Sequence, residues 1–210
     1  MLTELPAREE LCEWGRYVSQ KGLIGACEGN LSVRLSETTF VITPSGLNKA
    51  MMRPDQMVVM NLEGEVLGGT EKPSSEFRLH VGAYQARPEC LAVCHAHPLT
   101  ATSFGLVGME LPLNVMPEAA YILGRVGLMP FAMPGTDAVR LEMLRLAANC
   151  NTVIMANHGA VTLGKSLGSA CYRMETLERI AEMIWKAKAL GKLKTIPQGI
   201  TERLLDRDLD

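Results

Sequence analysis

The chain has 210 residues, a length that fits one compact domain with a sizeable core, and its 47% hydrophobic content argues against a disordered protein. Its net charge of −2 gives no electrostatic reason to bind nucleic acid or a membrane surface. We see no secretion signal and no apolar run of about eighteen residues, the length that spans a bilayer. We therefore expect a cytoplasmic protein without a nucleic-acid or membrane partner.

The first predicted element is an amphipathic helix over residues 7–22. Leu11, Trp14, Tyr17 and Val18 recur at helical spacing and form its apolar face. After a glycine-bearing turn, LSVRL and TFVITPSG alternate between polar and apolar residues like a pair of strands. The stretch MVVMNLEGEVLGG predicts two more strands around a turn.

A second helix is expected to begin at Pro73-Ser74-Ser75 and to run to about Gln85, because serine is a favoured N-cap. CLAVCHAHP predicts a strand that Pro98 ends, followed by a short helix. Further on, we expect a helix at 137–149, a strand in TVIMANHG and a long helix at 166–191.

Helices and strands interleave along the chain without a linker. This pattern predicts an α/β fold with a central, mainly antiparallel sheet. We expect residues 1–210 to form a single domain, with about the last 15 residues as a tail.

Three of the four histidines follow apolar runs. His95 and His97 end the CLAVCHAHP strand, and side chains two residues apart on a strand point to the same face. His158 ends the run TVIM, and Gly159 after it allows close backbone approach. Three imidazoles with one open position are typical of a catalytic zinc site. The alternative is a hydrogen-bonded histidine pair in the core.

Glu76 and His80 lie one helical turn apart on one face, so either can approach these histidines. A carboxylate beside a Lewis-acidic ion can be both a ligand and a proton carrier, which favours Glu76. The alternatives are a first-turn acid stabilised by the helix dipole for Glu76, and a buried, hydrogen-bonded histidine for His80, which we favour there. A closed site with Cys90 and Cys94 is a further alternative, disfavoured because Cys94 points away from the histidines.

Three stretches are rich in small polar residues: EGNLS, TPSG and PSSE. Together they suggest a small pocket that binds an anion. Its candidate residues are Gly29, Asn30, Ser45, Gly46, Ser74 and Ser75. The two serines of PSSE also fall at a predicted helix N-terminus, where free amides favour an anion. Each stretch alone is typical of an ordinary turn. No glycine-rich nucleotide-binding motif is present.

Five motifs carry a family resemblance: GN-L-S-V-R, TPSG, PSSEFRLHVGAYQARP, VCHAHP and ANHGAVTLG. Their order and spacing resemble those of the class II aldolase and adducin-head family, which includes the L-fuculose-1-phosphate aldolases. The resemblance covers roughly residues 7–190. It implies a three-layer α/β/α sandwich and a zinc held by three histidines and, in the resting aldolase, a glutamate. It also implies a homotetramer of C4 symmetry with active sites at subunit boundaries.

Carried over by motif, the resemblance implies that His95, His97 and His158 bind the zinc and that Glu76 is the fourth ligand and the acid/base. The six small-residue positions named above would bind the phosphate of dihydroxyacetone phosphate. Mn²⁺ or Co²⁺ would tolerate the same ligands. The implied reaction cleaves a small ketose 1-phosphate, similar to fuculose 1-phosphate, to dihydroxyacetone phosphate and an aldehyde through an enediolate.

Three alternatives stay open within this resemblance. Decarboxylases of oxo acids or pyridine carboxylates use the same electron sink. Sugar-phosphate 4-epimerases commonly carry Asp at the Glu76 position, and adducins lack the histidines, so this chain favours bond cleavage over both. Met116 stands near the position where fucose-type aldolases place an aldehyde-side tyrosine. Glu118 and Tyr121 are the candidates to replace it, although we favour a structural role for both.

Overall fold

A computed structural model describes residues 2–206 of the chain. The helices are α1 (Glu4–Gln20), α2 (Phe77–Ala86), α3 (Leu99–Leu106), α4 (Pro117–Tyr121), α5 (Asp137–Ala147), α6 (Leu167–Leu190) and α7 (Gln198–Leu205). The strands are β1 (Asn30–Arg34), β2 (Thr39–Ile42), β3 (Val58–Asn61), β4 (Val66–Gly68), β5 (Ala92–Ala96), β6 (Val126–Met129), β7 (Thr152–Met155) and β8 (Ala160–Gly164).

All eight strands join one sheet in the order β4-β3-β2-β1-β5-β8-β7-β6. Every neighbouring pair is antiparallel except β6 and β7, which run parallel. The prediction of a mainly antiparallel sheet in an α/β fold is confirmed. The centre of the sheet brings together β1, β5 and β8, which are far apart in sequence.

The sheet is covered by helices on both faces, because successive residues of its strands point to opposite sides. In β5, Cys94 packs into the core formed with α1, α3 and α6, whereas Val93 packs into the core formed with α2 and α5. The result is the three-layer α/β/α arrangement. Cys94 is thereby turned away from its histidine neighbour His95, as the alternation predicted.

The amphipathic pattern of the first helix is also confirmed. Leu11 and Val18 are buried, and Trp14 and Tyr17 pack against the same core from its rim. The long helix α6 starts where Ser166 accepts a hydrogen bond from the Ser169 amide, a capping arrangement that satisfies a free N–H of the first turn.

The prediction for the start of α2 is wrong. The helix begins at Phe77 with Glu76 as its N-cap, so Ser74 and Ser75 lie before it in extended or turn backbone. The reason is pairing with another segment: Pro73 forms a β-bridge with Pro44, and the Ser74 amide donates to the Thr43 carbonyl. The polar stretches TPSG and PSSE therefore lie side by side.

The stretch expected to be a tail contains α7, which packs against α4 and contributes a buried Thr201. The last four tail positions, 207–210, lie outside the described residues. Sequence patterns also left β6 and α4 without a prediction. Among residues 2–206, no helix is both long and apolar enough to cross a bilayer.

Candidate active site

The candidate residues gather where the central strands of the sheet begin or end. Asn30 opens β1 and pairs with His95 near the end of the antiparallel strand β5. His97 follows the end of β5, and His158 lies in the tight turn from β7 to β8. Because these neighbouring strands are antiparallel, the start of β1, the end of β5 and the start of β8 lie side by side at the same end of the strands.

The turn that carries His158 is shaped by two neighbours. Asn157 adopts a left-handed backbone with φ of 57°, a conformation that asparagine tolerates better than most residues. At Gly159 a Cβ atom would lie 2.5 Å from the Ala96 carbonyl oxygen and 2.6 Å from Cδ2 of His97. Glycine is therefore required for the turn to approach the HAHP segment.

The three imidazoles converge, with ring centroids 5.0 to 5.1 Å apart. One ring nitrogen from each of His95, His97 and His158 lies within 4.8 Å of the other two. Within the described part of the chain, Cys90 and Cys94 do not join this group. The alternative of a closed cysteine–histidine site is therefore not supported by the geometry.

Glu76 faces two of these rings. Its Oε2 lies 3.1 Å from Nε2 of His95, and its Oε1 lies 3.0 Å from Nε2 of His158. Asn30 donates to Oε2 through Nδ2 at 3.0 Å. Burial alone would raise the pKa of Glu76, but the facing imidazoles outweigh it and hold that pKa well below its usual value. The carboxylate is thus held in its charged form.

The tautomer of His95 tests whether a cation fits this position. Its Nδ1 lies 3.0 Å from the Ala160 carbonyl oxygen, which can only accept, so Nδ1 carries the proton. Nε2 faces both the Glu76 carboxylate and, at 3.2 Å, Nε2 of His97. Either a proton or a metal ion between these atoms makes the approach favourable. A separation of roughly 3.3 Å is also expected between two nitrogens bound tetrahedrally to one zinc. The residues fit a divalent metal ion.

His80, the fourth histidine, lies outside this group. It is fully buried and hydrogen-bonds to Asn30 and Ser32, as the sequence favoured. Burial and the charge of His95 lower the pKa of His80 to about 3, although Glu76 opposes the shift. This histidine is therefore neutral and supports the site through Asn30.

A cavity of about 100 Å³ adjoins Glu76 and His97. All six positions predicted for an anion line it: Gly29, Asn30, Ser45, Gly46, Ser74 and Ser75. The side-by-side pairing of TPSG and PSSE brings four of them together, and Gly29 adds a left-handed turn with φ of 67°. Since the serines precede α2, the anion-binding potential comes from loop donors rather than from a serine at the helix N-terminus.

Sequence reasoning did not name four residues of this lining: Cys27, Glu28, Pro44 and Lys49. Lys49 carried no signal, because a lone lysine in a loop is ordinarily exposed to solvent. Neither Glu118 nor Tyr121 belongs to the lining, and Met116 borders a separate groove beside α6. The structure of this chain therefore does not bring the aldehyde-side candidates to the cavity.

Comparisons with known proteins identify the family of the chain. Residues 9–185 match the family model described as "Class II Aldolase and Adducin N-terminal domain". A 3-oxo-tetronate 4-phosphate decarboxylase of Haemophilus influenzae is 32% identical over 88% of this chain and 89% of its own length. A 5-deoxy-D-ribulose 1-phosphate aldolase of Bacillus thuringiensis is 31% identical over 94% and 92% of the two chains.

A solved structure of an L-fuculose 1-phosphate aldolase superposes with a TM-score of 0.89 at 28% identity, covering 96% of this chain and 95% of the other. The residues matched by the family model include the three histidines and the lining of the cavity. The chain belongs to the class II aldolase and adducin N-terminal domain family.

Proposed function

We propose that this protein is a metal-dependent aldolase that cleaves a small ketose 1-phosphate to dihydroxyacetone phosphate and an aldehyde. The observation that carries the proposal is the position of Glu76, which borders both the three imidazoles and the cavity lined by small donors. A cation site and an anion site thus share one carboxylate.

In this proposal His95, His97 and His158 hold the metal, with Glu76 as a fourth ligand before substrate arrives. Zinc suits three imidazoles and a carboxylate, and Mn²⁺ or Co²⁺ also tolerate them. The ion, when bound, supplies a Lewis acid that stabilises negative charge developing on substrate oxygens. The Ala160 carbonyl fixes the His95 tautomer, which leaves Nε2 free to be a ligand.

The cavity orients the substrate. Amide and hydroxyl donors from its three polar stretches bind the phosphate, so binding energy remote from the reacting carbon is used for positioning. As the bond between C3 and C4 breaks, the C4 hydroxyl gives up its proton and becomes the aldehyde, and Glu76, after taking up a proton, delivers it to C3 of the enediolate. Asn30, which donates to Oε2, holds the carboxylate in place for this step.

A decarboxylase is the second candidate, supported by the similarity to 3-oxo-tetronate 4-phosphate decarboxylases. In a 3-oxo-tetronate 4-phosphate the carbonyl carbon is next to the carbon that bears the phosphate, as it is in a ketose 1-phosphate. Loss of carbon dioxide from that four-carbon acid and loss of an aldehyde from the sugar leave the same three-carbon enediolate. The same site chemistry therefore serves both reactions.

The test uses zinc-loaded full-length protein. L-fuculose 1-phosphate, L-ribulose 1-phosphate, 5-deoxy-D-ribulose 1-phosphate and 3-oxo-tetronate 4-phosphate are incubated in separate reactions, and dihydroxyacetone phosphate is assayed together with its co-product. We expect an aldehyde from one of the three sugar esters. Carbon dioxide from the oxo acid, with no aldehyde from any sugar ester, would replace the aldolase with the decarboxylase. No release from any compound would contradict both.

The C4 homotetramer implied by the family resemblance and the cytoplasmic location expected from the sequence stay predictions. Sedimentation of the purified protein tests the first, and fractionation of the cells that express it tests the second. A 4-epimerase and a non-enzymatic adducin-like module are disfavoured here because Glu76 and all three histidines are present together.

A further inference from the structure

Lys49 is a buried lysine in the wall of the anion cavity. Only 2% of the residue is exposed, and it lines the cavity together with the small donors described above. Its Nζ donates to the Leu47 carbonyl oxygen at 2.7 Å and to the Cys27 carbonyl oxygen at 3.1 Å. These two carbonyls belong to the two loops that hold TPSG and EGNLS, so the ammonium lies where the loops meet.

Burial of this ammonium is unfavourable in free energy. Removing a cation from water costs several kcal/mol, and neutral carbonyls offset that cost only in part. Among residues 2–206, no carboxylate forms an ion pair with Nζ. An ammonium has three N–H donors, and two of them are used by the carbonyls. Among the described residues, the third donor has no hydrogen-bond partner.

The charge of the cavity wall also favours a cation beside a phosphate. Its described lining contains two carboxylates, those of Glu28 and Glu76, and Lys49 is its only lysine or arginine. In the proposed function the metal ion offsets Glu76, so Lys49 is the side chain that offsets Glu28 and attracts a phosphate dianion. Neutral serine and amide donors alone do not distinguish a phosphate ester from a free hydroxyl by charge.

We propose that Lys49 is a specificity-determining residue whose ammonium contacts the anionic group of the substrate and selects a phosphate ester over the free sugar. This inference rests on the proposed function, because it assumes that the cavity takes a phosphate. The competing explanation is that Lys49 only joins the two loops. A change that removes the charge and keeps the hydrogen bonds separates the two explanations.

Lys49→Gln is that change, since a glutamine amide can donate to two carbonyls and carries no charge. The matched control is Lys72→Gln, which removes the same charge from an exposed lysine in the neighbouring loop. Dissociation constants for inorganic phosphate are measured by calorimetry on the metal-loaded full chain, and melting temperatures are recorded beside them. We expect Lys49→Gln to weaken phosphate binding by roughly tenfold to a hundredfold, the range of a hydrogen bond to a charged group.

Lys72→Gln should stay within about twofold of the wild type, because an exposed charge is screened by solvent and salt. Wild-type phosphate affinity in Lys49→Gln overturns the proposal for Lys49 and leaves the proposed function standing. Absence of phosphate binding by the wild type overturns it together with the phosphate cavity. If Lys49→Gln does not fold, the same titration on Lys49→Met, which keeps the aliphatic volume, decides between these outcomes.

Discussion

His80 donates through Nε2 to Oδ1 of Asn30, and this one hydrogen bond decides which way the Asn30 amide faces. The direction follows from Oδ1, an amide oxygen that can only accept, and the Ser32 hydroxyl, 2.6 Å from Nδ1 and also bonded to Tyr84, can then donate to Nδ1. With Oδ1 occupied, Nδ2 of Asn30 points to Glu76. A buried histidine outside the group of three imidazoles is thus linked through Asn30 to the carboxylate that we assign to proton transfer.

Replacing His80 should change how stability depends on pH. The folded-state pKa of about 3 lies below the ordinary value of 6.5, so between these values the unfolded chain binds a proton that the folded chain does not. Stability therefore falls as the pH is lowered through this window, by about 1.4 kcal/mol per pH unit. His80→Leu should remove that contribution, while lowering stability at pH 7 by roughly 1–3 kcal/mol because Asn30 and Ser32 lose a partner.

Urea denaturation of chelator-treated protein at pH 7, 6 and 5 measures both effects. The wild type and His80→Leu keep the other three histidines in common, so their difference isolates His80. Equal slopes for the two proteins would contradict the assignment of a neutral, buried His80.

Glu76→Gln should retain the metal and lose turnover by roughly a hundredfold to ten-thousandfold, the usual contribution of a positioned acid/base. The glutamine can still accept from Asn30, so the fold should persist. Glu63→Gln, in the exposed hairpin between β3 and β4, removes one carboxylate far from the site and is the control. Steady-state kinetics beside metal analysis checks the result, and full activity in Glu76→Gln would remove it from the proton-transfer role.

Removal of one imidazole should release the metal. His158→Asn leaves two histidines and a carboxylate, and we expect its metal content after dialysis to fall well below the value of about one ion per chain expected for the wild type. His80→Leu is the matched control, because it removes a histidine that lies outside the group and should leave the stoichiometry unchanged. Mass-spectrometric metal analysis of the two variants decides the point; equal retention would refute the three-histidine site.

Gly159→Ala should damage the same centre through the backbone. The added Cβ would lie within 2.6 Å of His97 and 2.5 Å of the Ala96 carbonyl oxygen, so the turn or the histidine must move. We expect weaker zinc binding in a competition assay with a chelator, and a loss of stability of roughly 1–3 kcal/mol from overpacking. Gly199→Ala in α7 meets nothing within 4 Å and should leave zinc affinity unchanged.

The convergence of the three imidazoles could be predicted from sequence because it follows from short-range rules. Strand alternation placed His95 and His97 together, and the apolar run before His158 placed it at a strand end. The start of α2 was mispredicted because long-range pairing of Pro73 with Pro44 overrode the local N-cap preference of the serines. Strand β6 escaped prediction because four residues bounded by loops show too little periodicity, and its pairing with β7 defines it.

The role of Lys49 shows the same limit from another side. Nothing within a few residues of it distinguishes a solvated lysine from a buried one. Its burial depends on carbonyls of two loops that the sheet brings together, and one of them, that of Cys27, is 22 residues away. A single sequence contains no pattern for such a contact.

Because Glu76 borders both the cavity and the imidazoles, the distance between these two parts of the site is fixed. In the proposed function that distance sets how many bonds separate the phosphate of the substrate from its reacting ketone. A compound anchored by its charged end can offer to the imidazoles only the atoms that lie a fixed few bonds inward. Inserting one methylene between the ester and the ketone would leave such a compound bound yet unreactive. In the proposed function this spacing constrains only the part of the molecule between the phosphate and the ketone.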